Sequence, residues 1–486
     1  MSPRRPVAWP LPGAGQEKLR LPSPMLFNSL PFLYLFLPVT YFVFWWLTTK
    51  TRRYAWLAFT GYVFYSFWNY KFCALMLFST LVSFLAGLGL LRWQDPRRRR
   101  LCLVVPVTLD LALLGFFKYT NFALTSVNGL SSWLGAPTHF AAFDIVLPVG
   151  ISFYTFHTVT YIVDSYQRRI TPTTSFFEFA SYVSLFPQLV AGPIVRFRQI
   201  SDDLGNIDRA EETRDLDKGW SFFVMGMIKK VLLADTIGGI ITPALANYTE
   251  LSTLGAWLCM LGFAYQVYYD FGGYSDMAVG LGYMFGLRLP QNFNSPFQAA
   301  NIADFWRRWH MSMSSFFRDY VYIPLGGSRG SRWAVSRNLM VTMLLAGLWH
   351  GANWPCVLWG GFIGLLLVVH GFIAPWWERM PSWTQRAGTF FLFVVSLAIF
   401  RSDNLTMIGG MVELMFSWHP GPNMVGIEVL TALLLVSGAL AHFGPNTFEM
   451  EHRWTPSYVT GFAVAFGVCL FVLYGSAAAP FLYFQF

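Results

Sequence analysis

Apolar residues run without interruption over long stretches of this chain, and they do not alternate with polar residues. One run, LPFLYLFLPVTYFVFWWLTT, covers residues 30–49, and another, LMLFSTLVSFLAGLGLL, covers residues 75–91. Each is close to the ~20 residues that a helix needs to cross ~30 Å of hydrocarbon. Transmembrane strands are only ~9–11 residues long and alternate in polarity. The pattern therefore predicts an all-α polytopic membrane protein with about 10–12 crossings, some of them partial.

Basic clusters separate the apolar runs and orient them. TKTRR (49–53), RWQDPRRRR (92–100) and QRR (167–169) follow the first, third and fifth predicted crossings. Cytoplasmic loops of membrane proteins collect Lys and Arg, so these three clusters are predicted to be cytoplasmic and the N-terminus to lie outside.

The first 24 residues conflict with that orientation, because they place four cations (Arg4, Arg5, Lys18 and Arg20) on the predicted outer side. They contain no apolar run of the kind that a signal peptide has. Met25 opens MLFNSLPFLYLFLP, which is a natural start. We expect residues 1–24 to be a disordered extension or a mis-assigned start, and residues 25–486 to form a single membrane domain.

Composition agrees with the membrane prediction. Hydrophobic residues make up 55% of the chain and charged residues 12%, against about 25% charged in soluble domains. The net charge of +9 is explained by cytoplasmic basic loops and does not indicate nucleic acid. The five cysteines form no CxxC pair, so they are expected to be buried small hydrophobes. The longest polar stretch, residues 196–219, is expected to be a solvated connector or surface helix.

His350 stands almost alone in the apolar stretch LLAGLWHGANWP (344–355). Titratable groups at membrane depth are rare, and they usually face a cavity. A neutral imidazole in such a place can act as a general base near neutral pH. His350 is therefore the first candidate for a catalytic residue.

A second histidine lies in NIADFWRRWHMSMSSFFRDY (301–320), which reads as one amphipathic helix with Asn301 as its N-cap. Trp306, Trp309 and His310 recur at helical spacing on one aromatic face of this helix. Arg307 and Arg318 lie on another face. The following YIPLGGSRG should end the helix at its proline and glycines. Such a charged, broken element is predicted to be re-entrant or interfacial and buried in protein.

His310 and His350 lie on separate elements that could converge in one cavity. The remaining histidines are expected to be structural, namely His139, His157, His370, His419, His442 and His452. No HxxxH or HExxH spacing occurs, so no metal site is expected.

Five long stretches, in order, resemble the membrane-bound O-acyltransferases, and most closely the bacterial branch typified by the membrane subunit that O-acetylates alginate. These stretches are LPVGISFYTFHTVTYIVDSY (147–166), FPQLVAGPIVRF (186–197), YYDFGGYSDMAVGLGYMFGLRLPQNFNSPF (268–297), FWRRWHMSMSSFFRDYVYIPLGG (305–327) and RNLMVTMLLAGLWHGANWPCVLWG (337–360). The resemblance covers roughly residues 25–475.

The resemblance implies a multi-helix fold around a central funnel or tunnel, and acyl transfer from a thioester to a hydroxyl. It matches His350 to the family's nearly invariant histidine and His310 to the second family histidine, which would polarise the carbonyl or steady the first imidazole. Acetyl-CoA is the expected donor substrate, with no permanently bound cofactor. The resemblance also implies a periplasmic SGNH-hydrolase-like partner and, as the final acceptor, an exported polysaccharide such as alginate. The implied location is the bacterial inner membrane.

Two other classes stay open. A transporter should show broken helices at corresponding positions in two halves, and the sequence shows one broken region. A non-catalytic scaffold of a polysaccharide secretion complex would tolerate replacement of both histidines. Within the enzyme class, peptidoglycan, cellulose and teichoic acid are alternative acceptors.

Overall fold

The computed structural model describes residues 25–135, 139–190, 192–421, 424–475 and 482. The extension proposed for residues 1–24 lies outside these described residues. Within them the chain is helical and contains no strand. The all-α prediction is confirmed.

The α-helices in chain order are α1 (Leu37–Trp46), α2 (Lys50–Asn69), α3 (Lys71–Arg92), α4 (Pro96–Leu114), α5 (Thr120–Trp133), α6 (Ile151–Tyr166), α7 (Phe176–Val183), α8 (Phe186–Leu189), α9 (Phe197–Gly205), α10 (Leu216–Met227), α11 (Asp235–Ala246), α12 (Thr253–Met284), α13 (Ile302–Arg308), α14 (Met311–Phe317), α15 (Arg332–His350), α16 (Trp354–Trp377), α17 (Ser382–Phe400), α18 (Leu405–Phe416), α19 (Ile427–Phe443) and α20 (Pro456–Gly475). π-helical turns occupy Phe32–Phe36, Gly115–Tyr119, Ile228–Ala234 and Arg318–Tyr322, and 3₁₀ turns occupy Ile207–Glu212, Tyr248–Glu250 and Pro296–Gln298.

Five helical segments in the described part are long and apolar enough to cross a membrane: Lys71–Arg92, Pro96–Trp133, Trp354–Trp377, Ser382–Phe400 and Pro456–Gly475. Three further apolar helices are shorter. The protein is therefore a multi-pass membrane protein, while the full number of crossings and the outward N-terminus stay predictions.

Helix α12 forms the centre of the molecule, and most of its side chains are buried. Two of its carboxylates are titratable groups among apolar helices, and such groups usually face a cavity. Instead they meet consecutive lysines: Asp276 lies 2.6 Å from the ammonium of Lys229, and Asp270 lies 2.5 Å from that of Lys230. Asp235 is a second partner of Lys230, at 2.6 Å. These ion pairs fix α12 against the α10–α11 segment.

The polar stretch 196–219 is more than a solvated connector, because Ile200, Leu204 and Ile207 are fully buried. The buried guanidinium of Arg53 donates to the carbonyl of Ile207 and to Glu211, and this hydrogen bond lowers the pKa of the Glu211 carboxyl. The stretch is therefore a surface layer that is docked onto the helices.

All five cysteines are free thiols, and all but the half-buried Cys73 are buried. The expectation of buried thiols is confirmed for Cys102, Cys259, Cys356 and Cys469.

Candidate active site

Helix α15 carries His350 as its last residue, and the sequence fixes that end. Asn353 caps the next helix, since its side chain accepts from the backbone N–H of Cys356 at 2.8 Å, and Pro355 fits the first turn of α16. Only three residues therefore connect α15 to α16. The short connection holds the two helices antiparallel and His350 at their junction.

Glycines let α15 and α16 cross at backbone contact. A Cβ placed on Gly347 would lie 2.3 Å from the carbonyl oxygen of Cys356, and one on Gly360 would lie 2.3 Å from that of Met343. No side chain fits such a distance, so the crossing requires glycine at both positions. This crossing lies close to the site, because Gly347 is one turn before His350 on α15.

The segment 301–320 is not one helix, and that prediction is wrong. Helix α13 ends at Arg308, and α14 begins at Met311. Between them His310 has φ +42° and ψ +54°, a left-handed conformation that is uncommon for a residue with a side chain. Asn301 does cap α13, since its side chain accepts from the N–H of Asp304 at 2.8 Å. Strained residues of this kind concentrate at functional sites.

Asn292 holds the break in place from the preceding loop. Its backbone carbonyl accepts from the N–H of Met311 at 2.8 Å. Its side-chain oxygen accepts from the N–H and the hydroxyl of Ser312, at 3.3 and 2.9 Å. The same oxygen lies 3.1 Å from Nδ1 of His310. Asn292, His310 and Ser312 are all buried, so this loop residue and the strained backbone form one unit.

The contacts of Asn292 define the tautomer of His310. A backbone N–H can only donate, so the atom that Ser312 reaches is the amide oxygen of Asn292. That oxygen can accept but not donate, and Nδ1 of His310 must carry the hydrogen. In the neutral ring, Nε2 is then the basic nitrogen.

His310 and His350 line one narrow cavity of about 20 Å³, which is space for roughly one water molecule. Its other walls are apolar, among them Phe271, Trp359 and Phe400. Phe271 meets His310 edge to face at 4.5 Å, and Trp359 meets His350 in the same way at 5.1 Å. Both histidines are buried, at 0% and 6% exposure. The structure thus brings the two predicted residues together, while their catalytic roles stay predictions.

Two larger cavities meet different parts of α15. A cavity of about 470 Å³, called here the arginine cavity, is lined by Arg307, Arg318, Ser314 and Phe317 and by α15 from Leu339 to Ala346. A cavity of about 130 Å³, called here the lysine cavity, is lined by Lys118, by residues 147–153, and by Trp349 and His350. His350 therefore borders both the lysine cavity and the narrow cavity that it shares with His310.

The other histidines lie away from this narrow cavity. Two of them have clear structural bonds: His442 Nε2 lies 3.2 Å from the Tyr265 hydroxyl, and His452 Nε2 lies 2.8 Å from the carbonyl of Thr447. Among the described residues, no cluster of three His, Cys, Asp or Glu side chains is arranged to bind a metal ion.

Sequence reasoning missed two polar residues of the site, Asn292 and Lys118. Lys118 is a single cation inside an apolar span, which is a signal that the rarity of charge at membrane depth makes visible. Asn292 carried no such signal, because an asparagine in a loop is ordinary.

Comparison with known proteins gives matches over most of the chain. Residues 163–409, which include both histidines, match the membrane-bound O-acyltransferase family. The chain is 40% identical over 438 residues to the probable alginate O-acetylase of Pseudomonas aeruginosa, covering 87% of this chain and 82% of that one. It is 35% identical over 427 residues to a peptidoglycan O-acetyltransferase of Helicobacter pylori, covering 80% of each. A teichoic acid D-alanyltransferase of Bacillus subtilis is 30% identical over 259 residues, 51% of this chain and 66% of that one.

Proposed function

This chain belongs to the membrane-bound O-acyltransferase family and is an O-acyltransferase of the membrane; we propose that it moves an acetyl group from cytoplasmic acetyl-CoA across the bacterial inner membrane for O-acetylation of an exported polysaccharide. The observation that carries the proposal is the cavity shared by His310 and His350. The arginine cavity lies along the middle of α15, and the lysine cavity lies at its C-terminal end.

The chemistry of the arginine cavity supports a phosphorylated thioester donor. Arg307 and Arg318 are exposed at this cavity, while Phe317 and Met343 provide apolar walls. Arginine suits phosphate groups, and apolar walls suit the pantetheine arm that carries the thioester. Arg332 begins the same end of α15, and the excess of arginine favours the cytoplasmic side for this end.

In the proposed reaction His350 takes the proton of the acceptor hydroxyl as its oxygen attacks the thioester carbon. The C–O bond forms, the C–S bond breaks, and the leaving thiolate receives the proton. His310 polarises the reacting carbonyl or steadies the first imidazole. The apolar walls of the shared cavity exclude bulk water, which protects the thioester from hydrolysis.

The lysine cavity, at about 130 Å³, is small for a polymer. We therefore propose that the acetyl group passes first to a periplasmic SGNH-hydrolase-like partner, whose hydroxyl is slim enough to enter. The polysaccharide is then acetylated by the partner. Alginate is the first candidate because of the 40% identity to the Pseudomonas aeruginosa relative, and peptidoglycan is the second because of the 35% identity to the Helicobacter pylori relative.

The test is reconstitution of the purified protein in vesicles with labelled acetyl-CoA at its cytoplasmic face. Deacetylated alginate or peptidoglycan is added on the other side, with or without the periplasmic partner. We expect label in one polymer only when the partner is present. Label in a polymer when no partner protein is added would contradict the proposed need for a partner. Absence of transfer from acetyl-CoA to any acceptor would contradict the proposed donor reaction. In cells, loss of the gene should remove acetyl esters from that exported glycan.

A further inference from the structure

Lys118 is a cation in an unusual place. It lies in the apolar segment Pro96–Trp133, within the π-helical turn Gly115–Tyr119. Counting from Pro96, its Cα is about 33 Å along the helix at ~1.5 Å per residue, near the far edge of a ~30 Å hydrocarbon layer. A lysine at that depth can extend to the lipid headgroups. This one instead turns inward to α15.

Lys118 and its neighbour hold the end of the helix that carries His350. The ammonium of Lys118 donates to the carbonyl of Trp349, and the hydroxyl of Tyr119 donates to the carbonyl of Leu348 at 3.2 Å. Carbonyls in the last turn of a helix lack intrahelical partners, so both side chains cap α15. π-Turns insert one residue into a helix and are frequent at functional sites.

Capping alone does not require a charge. No carboxylate among the described residues forms an ion pair with Lys118. An ammonium among apolar helices is costly, and the ring of Trp349, whose centroid lies 5.7 Å from Nζ, offsets only part of that cost. A neutral donor such as the Tyr119 hydroxyl caps the adjacent carbonyl without it. The positive charge therefore calls for an anionic species close by.

The place for that species is the lysine cavity, which Lys118 and His350 both line. The N-terminus of α6, from Gly150 to Ser152, forms another wall, and helix N-termini carry a partial positive charge. The cavity thus combines a basic imidazole with two sources of positive potential. Acyl transfer creates negative charge on the carbonyl oxygen as the hydroxyl attacks.

We propose that Lys118 is the oxyanion-stabilising cation of the acyl-transfer site, held toward the lysine cavity by its bond to the Trp349 carbonyl. As the acceptor oxygen bonds to the acetyl carbon, the carbonyl π pair moves onto oxygen, and the ammonium faces that oxyanion. When the carbonyl re-forms, the C–S bond breaks with its electron pair on sulfur, and the proton held by His350 passes to the thiolate. This role rests on the proposed acetyl-transfer function.

The test compares Lys118→Gln with Tyr119→Phe in the full-length protein reconstituted with labelled acetyl-CoA, the acceptor and the partner. Glutamine keeps a donor for the Trp349 carbonyl but removes the charge, while Tyr119→Phe removes the neighbouring cap and leaves the charge. Losing one oxyanion donor typically lowers kcat by about 100-fold. We expect that loss for Lys118→Gln, with the KM for acetyl-CoA unchanged. Tyr119→Phe should stay within threefold of the unmodified protein.

Lys118→Arg gives a further readout, because it restores charge with a different shape. Recovery of kcat to at least a tenth of the unmodified value supports the electrostatic role. Equal losses in Lys118→Gln and Tyr119→Phe would reduce both residues to helix caps and overturn the proposal, as would near-normal kcat in Lys118→Gln. Absence of transfer by the unmodified protein would instead refute the proposed function, so the two failures are distinguishable.

Discussion

Replacing Asn292 by alanine should disable His310 without touching either histidine. The substitution removes the oxygen that accepts from His310 Nδ1 and from two donors of Ser312. The imidazole can then adopt either tautomer, and the left-handed turn at His310 loses its main support. Asn292 therefore acts as a positioning residue for the site.

The expected magnitude follows from those bonds. A buried donor that loses its acceptor costs about 1–3 kcal/mol. The Ser312 hydroxyl can rotate to another acceptor, which leaves two fixed N–H donors, on His310 and Ser312, and a loss of stability of about 2–6 kcal/mol. The bond that orients His310 alone is worth about 1–3 kcal/mol on that scale, which corresponds to about 5- to 150-fold if all of it is lost from the transition state.

The assay measures kcat for acetyl transfer at equal membrane abundance, with thermal unfolding in detergent as the readout for stability. Asn294→Ala is the matched control, because Asn294 lies two residues away and its side-chain oxygen accepts from Asn446 at 3.1 Å. Asn294→Ala should keep most of its activity. If kcat of Asn292→Ala stays within threefold of that control, the orienting role is refuted.

Three further outcomes are expected. His310→Ala should lower the acetylation rate at least tenfold, because the substitution removes one wall of the shared cavity and the second imidazole that lines it beside His350; full activity of this variant would exclude a catalytic role for His310. Lys230→Met should lower the free energy of unfolding by about 3–5 kcal/mol, measured by chemical denaturation, because it leaves Asp270 buried without its cation; an unchanged midpoint would show that the pair is unimportant. Gly347→Ala should lower both thermal stability and kcat, because its Cβ would lie 2.9 Å from Cα of Gly360 and push α15 from α16; normal values of both would contradict a rigid crossing.

Apolar runs identified the class of protein, because hydrocarbon demands long helices whatever the details of their packing. His350 could be singled out because a titratable group is conspicuous in an apolar segment, and His310 because helical spacing puts it with the aromatic residues of 301–320. A helix break at a single residue could not be predicted in the same way. The break at His310 depends on the Asn292 contacts, and the helical spacing of 301–320 runs through it without a signal.

Charge partners were also invisible in the sequence. The carboxylate of Asp270 is neutralised by Lys230, which lies 40 residues earlier in a neighbouring helical segment. Likewise, Lys118 and Trp349 are 231 positions apart, so their contact emerges only when the turn Gly115–Tyr119 packs against the end of α15. Pairings over such separations require the folded chain.

The most direct test of the central claim compares His350→Ala with His370→Ala in vesicles supplied with labelled acetyl-CoA, the partner and the acceptor glycan. His370 lies on α16, outside the shared cavity, and so controls for the loss of a membrane histidine. Removing a general base costs about 10²–10⁴ in rate, so His350→Ala should lose transfer almost completely at equal abundance, while His370→Ala stays near normal. Near-normal acetylation by His350→Ala would contradict the account.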